Sequence, residues 1–381
     1  MKNVYLDNAA TTPIDPSVVE AMMPFLTEHF GNPSSTHAHG RVIKAAIEKA
    51  RKTVADLLQV TPGEIFFTSG GTESDNTAIR CAIKTRGIQQ AITSRLEHHA
   101  VLHTLEEMAK NGEVKLTFVE HDVQGNIDYH HLEKLLQATP NALVSLMHGN
   151  NEIGNITDLH RVGELCKAHK AFFHSDTVQT LGHFPLALRE IPVDAIVGAA
   201  HKFHGPKGVG LLYINKASKI TPFITGGSQE RNMRGGTENV YGIVGLAKAL
   251  EVAVSGMQAH RDHILSLKKR MAEKIKALLP EATFNGASGQ LDQSLYTVLN
   301  VNLPPHEANE LLLFNLDLNH ISVSGGSACS SGAGTGSHVI RALHPGQFNG
   351  TLRFSFSKYN TEDEIDYAVT TLAAQFEARH A

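Results

Sequence analysis

The chain has 381 residues, 34 Lys+Arg against 38 Asp+Glu, and a formal net charge of −4. At ~100–200 residues per domain the length predicts two domains, each large enough to bury a core; the near-balanced charge without a long basic run excludes nucleic acid as an evident partner. The absence of any stretch of ~18 apolar residues argues against a membrane span, and three cysteines are too few and too odd a set for a disulfide framework, which fits a reducing cytoplasm.

In chain order, the N-terminus (Met1-Lys-Asn-Val-Tyr-Leu-Asp7) carries no apolar signal core. Residues 41–58 have the period of an amphipathic helix, 64–69 read as a short strand, and 73–85 as a helix. Further apolar runs at 91–94, 142–147, 171–175, 195–198 and 209–214 alternate with helical segments, which predicts an α/β domain with a mostly parallel sheet. Residues 259–279 form a long charged helix, after which strands shorten and Gly-rich loops appear before a last helix at 361–378. A domain change is expected near residue 258, with 15–258 as the large domain and 1–14 plus 259–381 as the small one. The 23 histidines are scattered, with none in tight ligand spacing to a cysteine, so no structural metal site is expected.

Four segments carry chemistry. In Phe67-Thr-Ser-Gly-Gly-Thr72 a strand runs through Gly70 and Gly71 into a helix opened by Thr72, a start whose free N–H groups suit a phosphate, though an ordinary Gly turn and Thr cap have the same pattern. Asp176 ends a strand-like run, where α/β sheets put ligand groups; the position suits a pyridinium partner or a helix cap. Lys202 follows another strand and His201; a lysine in such a tight loop can have a lowered pKa and form a Schiff base. Lys207, inside the following Gly-Pro-Lys-Gly turn, is its rival. Cys329 lies among glycines and serines in 324–337, unlike Cys81 and Cys166, which fall in helical patterns; a reactive thiol and an incidental loop cysteine both fit the segment.

Together with Tyr5–Pro13, Phe30-Gly-Asn-Pro, Leu96-Glu-His-His-Ala100, Asn150-Asn-Glu-Ile-Gly154, Asp176-Thr-Val-Gln179, Arg234-Gly-Gly-Thr-Glu-Asn239 and Leu352-Arg-Phe-Ser355, these segments resemble the cysteine desulfurases, a branch of the fold-type-I pyridoxal-phosphate (PLP) enzymes. The resemblance spans almost the whole chain. It implies a large domain with a mostly parallel seven-stranded sheet and a smaller α/β C-terminal domain. It also implies these roles: Lys202 as the Schiff-base lysine, His98 stacked on the cofactor ring and assisting proton transfer, Asp176 at the ring nitrogen, and Gln179 at the phenolic oxygen. Asn151 is expected beside the ring, and Gly71, Thr72 and His201 at the phosphate. Thr237 is expected to reach the phosphate from the other subunit of a homodimer, and Asn32 and Arg353 to hold the substrate carboxylate. The implied activity converts L-cysteine to alanine and leaves a persulfide on Cys329, for delivery to an acceptor protein in iron–sulfur cluster assembly or tRNA thiolation. Selenocysteine lyase, or another PLP enzyme of the same fold, is the alternative.

Two positions depart from the family pattern. Ala199 stands three residues before the Schiff-base lysine, where relatives have Ser or Thr donating to the phosphate. The chain also stops at Ala381, soon after its last helix, whereas housekeeping relatives often carry a tail that docks an iron–sulfur scaffold protein, so docking by a tail is not expected. The long loop after Cys329 is nevertheless similar to that of the housekeeping group.

Overall fold

The computed structural model describes residues 3–325, 337–346 and 350–376. The chain opens with β1 (Val4–Tyr5), α1 (Pro16–Thr27) and α2 (Ala38–Leu57). It continues with β2 (Ile65–Thr68), α3 (Gly71–Arg86), β3 (Gln90–Thr93), α4 (His99–Lys110) and β4 (Lys115–Phe118). Then come α5 (Tyr129–Ala138), β5 (Leu143–Ser145), α6 (Leu159–Ala168), β6 (Phe172–Asp176), β7 (Ala195–Ala199), β8 (Gly210–Ile214) and α7 (Val240–Ser255).

Seven of these strands form one sheet in the order β2-β8-β7-β6-β5-β3-β4. All neighbours are parallel except β8, which runs antiparallel to β2 and β7. Strands β5 to β8 are buried along their whole length, as a sheet covered on both faces requires. On one face, α2 turns Ile43, Ile47, Ala50 and Val54 inward at helical spacing and packs with α1 and α7; on the other, Ala78, Ile79 and Ala82 of α3 meet Val101 and Leu105 of α4. α1 starts where Asp15 accepts the Ser17 N–H and Pro16 supplies a preset φ; α3 stops at Gly87, whose φ of +60° a side chain would resist.

A second apolar cluster gathers Val4 and Leu6 with the C-terminal third of the chain. Its elements are α8 (Met257–Leu278), β9 (Thr283–Phe284), β10 (Val298–Asn302), α9 (Leu312–Leu318), β11 (Ile321–Ser322), β12 (Ser324–Gly325), α10 (His338–Leu343), β13 (Thr351–Ser355) and α11 (Glu362–Ala374). The antiparallel sheet β12-β13-β10-β9 lies in this cluster, and the N-terminus joins it through the parallel pairing of β1 with β11. α7 and α8 meet at Gly256 with a 74° bend, and no single helix among the described residues is long and apolar enough to cross a membrane.

Candidate active site

The carboxyl ends of β2, β3, β6 and β7 all lie at one edge of the large sheet, the side where open α/β sheets bind ligands. Each delivers a group. β2 leads into the N-terminus of α3 at Gly71; β3 leads to His98, the N-cap of α4; β6 ends on Asp176; β7 ends at Ala199 and turns once through Ala200–Lys202. They line a cavity of about 380 Å³ together with Thr72, Asn151, Gln179, His201 and Arg353. That volume lies in the usual range for a small-molecule site.

Lys202 Nζ donates to the main-chain carbonyls of Ala9 and Ala10 at 2.6 and 2.9 Å. Carbonyl dipoles compensate an ammonium only in part, and burial, with the Arg353 charge added, brings its pKa down to about 8 against the pull of Asp176 and Asp7. Lys207 is exposed and does not line the cavity. Gln179 Nε2 donates to the same Ala9 carbonyl at 3.0 Å, and the His201 ring, held neutral by burial, meets Thr11 Oγ1 at 3.1 Å.

Asp176 Oδ1 accepts the Val178 N–H at 2.9 Å, and among the described residues no cation pairs with it. Burial raises its pKa, opposed by His98 when that ring is protonated, by the Val178 N–H and by Lys202. Asp75 and Glu97 are buried nearby, and burial first, with the Asp176 charge adding to it, raises the pKa of each. His98 Nδ1 accepts the Ala100 N–H at 3.1 Å, so the neutral ring carries its proton on Nε2; burial lowers its pKa and favours that neutral form. At the first turn of α3, a Cβ on Gly71 would come within 2.9 Å of Val178 Cγ2, so the residue is held to glycine where the backbone borders the cavity.

Arg353 projects from β13. Its Nη2 donates to Asp7 Oδ1 at 2.9 Å and Ser324 Oγ at 3.1 Å, and its Nη1 to the Asn151 carbonyl at 3.2 Å. Asp7 also accepts from Ser324 Oγ at 2.7 Å. Cys329 falls outside the described residues, but both described flanks of its segment border the site: Ser324 touches Arg353, and Ser337 donates to Glu152, next to Asn151.

Two expected residues are not brought into this cavity within the chain. Asn32 turns its Oδ1 onto the Ser34 N–H at 2.8 Å, in the connection that precedes α2. Thr237 is exposed and lines a different hollow beside Phe67, Thr68 and Ser69, on the outer side of β2. A larger cavity of about 780 Å³, between Ser35, Arg41, Glu48 and Arg231, holds none of the converging groups. Asp75 and the Ala9 and Ala10 carbonyls line the site without standing out in the sequence. Asp75 falls inside the Thr-Glu-Ser-Asp motif, where its burial gave no signal, and carbonyls leave none in side-chain patterns.

The family model for class-V aminotransferases matches residues 4–368. The chain is 42% identical over 378 residues to a cysteine desulfurase IscS of Dictyoglomus turgidum, covering 97% of this chain and 94% of that one. It is 42% identical over 370 residues to the cysteine desulfurase IscS of Methanosarcina thermophila, covering 96% and 90%. Among solved structures, a NifS-like protein superposes with a TM-score of 0.89 at 37% identity, over 98% of this chain and 99% of that one.

Proposed function

Because the chain belongs to the class-V aminotransferase family, among the cysteine desulfurases, we propose that it takes sulfur from L-cysteine, releases alanine, and carries the sulfur on Cys329 to an acceptor protein. The observation that carries this reading is the convergence of Lys202, Asp176 and Arg353 on one cavity that borders the start of α3.

The residues fit PLP. A buried carboxylate with no cation paired to it among the described residues, Asp176, suits a protonated ring nitrogen; Lys202 offers an amine of lowered pKa; and the Gly71–Thr72 helix start offers free N–H groups to a phosphate. Gln179, Asn151, His98 and His201 complete the set within the chain, and Thr237 serves the partner's phosphate in a homodimer. Exposed Val19, Met23 and Leu26 on α1 give the apolar surface that such a dimer would cover. Bound there, PLP supplies an electron sink for a carbanion at the amino-acid Cα.

The chain's own groups supply the rest. Arg353 binds the substrate carboxylate through its fork of N–H donors. Lys202, neutral above a pH of about 8, removes the Cα proton, and His98 holds a proton on Nε2 beside it. The Cys329 thiolate attacks the substrate sulfur, the C–S bond breaks, and a persulfide stays on the enzyme. The test is alanine release from L-cysteine by the PLP-loaded protein, set against Lys202→Ala. Equal rates from the two would overturn the reading.

A further inference from the structure

Residues Glu230, Arg231 and Asn232 stand just before the Gly-rich segment Arg234–Thr237, and all three have left-handed backbones, with φ of +43°, +55° and +67°. Consecutive non-glycine residues avoid this region unless their surroundings fix them. Arg231 is held by Glu48 and the Pro62 carbonyl, and Glu230 by Arg51 of α2. Arg51 Nη1 and Nη2 donate to the two Glu230 carboxylate oxygens at 2.8 and 2.9 Å, and the side chains are only 2% and 3% exposed. The pair also closes the open edge of β2: Arg51 Nη1 donates to the Ile65 carbonyl at 2.7 Å, and Glu230 accepts the Phe67 N–H at 2.8 Å. The Phe67 ring lies 4.9 Å from the guanidinium. Downstream, Gln229 Oε1 accepts the Gly236 N–H at 3.2 Å, and Arg234 Nε donates to Glu73 in the first turn of α3 at 3.0 Å.

This buried, bidentate pair holds the start of a segment that ends on an exposed Thr237, which lines a hollow other than its own chain's cavity. We propose that Arg51 and Glu230 are positioning residues for the Arg234–Thr237 segment, and that they act in trans, on the partner subunit's cofactor phosphate. The proposal rests on the dimer reading above.

Arg51→Lys keeps the charge and removes the fork. Apoprotein of this variant, titrated with PLP and followed by the absorbance of the bound cofactor, should remain a dimer in sedimentation and bind PLP about ten- to hundredfold more weakly, the span of one charge-assisted hydrogen bond of ~1.5–3 kcal/mol. Arg51→Met with Glu230→Met, which exchanges the buried ions for apolar side chains, gives the same readout if the single variant does not fold.

Heterodimers purified through two tags, one subunit Arg51→Lys and the other Lys202→Ala, decide between trans and cis action. They hold one site with an intact Lys202 and an intact partner segment. At limiting PLP they should regain about half of the wild-type rate, although each parent homodimer is impaired. Unchanged PLP affinity in Arg51→Lys would overturn the proposal. So would inactive heterodimers when Thr237→Ala paired with Lys202→Ala does recover; the dimer reading would then stand and only the role of Arg51 and Glu230 would fall. If the Thr237 pairing also stays inactive, the dimer reading fails and the proposal with it.

Discussion

Arg353 Nη2 lies 2.9 Å from Asp7 Oδ1, which joins a strand near the C-terminus to the seventh residue of the chain at the edge of the cavity. With Ser324 Oγ on the same nitrogen, the guanidinium is oriented before any substrate arrives. Replacing Arg353 by Lys removes the bidentate fork. The KM for L-cysteine should rise about ten- to hundredfold, from ~1.5–3 kcal/mol of charge-assisted bonding, while the absorbance of bound PLP is kept. An unchanged KM would move carboxylate binding to another group.

Lys202 has a pKa lowered to about 8 by burial and by the Arg353 charge. Only the neutral amine reacts, so the rate of PLP capture by apoprotein should climb as pH rises through about 8 and level off above it. Stopped-flow absorbance checks this; a profile still climbing toward pH 10 would show an unshifted lysine. Lys202→Ala should abolish the capture, and reduction followed by digestion should leave the pyridoxyl group on the peptide of Lys202 rather than Lys207.

Ala199 borders the cavity, its Cβ 3.8 Å from where a Cβ on Gly71 would stand. Ala199→Ser therefore brings a hydroxyl beside the start of α3. PLP affinity should increase, by up to about tenfold for a bond of ~1.5 kcal/mol to a charged acceptor. Equal or weaker affinity would mean that another donor already occupies the position.

Lys268 of α8 is buried and donates to Ser294 Oγ and to the Leu295 carbonyl, both at 2.8 Å, with no carboxylate paired to it among the described residues. Burial lowers its pKa from 10.5 to about 7. Between those values the unfolded chain binds a proton that the folded chain does not. The cost is therefore full below pH 7, and stability rises with pH above it. Relative to Lys268→Met, the wild type should gain stability from pH 7 to 10 with a limiting slope of about 1.4 kcal/mol per pH unit, measured by urea unfolding. A gap between the two that does not change with pH would contradict this.

The sheet and most of the candidate site were legible because each candidate group follows an apolar run: β2 before Gly71, β6 ending on Asp176, β7 before Lys202. Strand ends showed as composition changes, and boundaries shifted by a few residues, as with α2 at Ala38–Leu57 against an expected 41–58. Strand β4 does not stand out in the sequence, since Lys115–Phe118 is only partly buried and short. Relationships across the chain were not legible. The Lys202 bonds to Ala9 and Ala10 use main-chain oxygens about half a chain away. Arg51 and Glu230, 179 residues apart, look like ordinary surface charges until folding buries them together. Asn32 and Thr237 followed from family resemblance alone, and the single chain does not bring them to the cavity.

In the proposed reaction, sulfur leaves L-cysteine and comes to rest on Cys329. The direct measurement is peptide mass analysis of PLP-loaded protein after L-cysteine is added without reductant, with alanine counted in the same sample. One added sulfur atom is expected on the Cys329 peptide, none on the buried Cys81 and Cys166, and alanine in step with the first sulfur bound. Cys329→Ser should keep the cofactor absorbance but release alanine only at background, because a serine hydroxyl stays protonated and forms no persulfide. Alanine released at the wild-type rate by Cys329→Ser, or added sulfur found on another cysteine, would contradict that reaction.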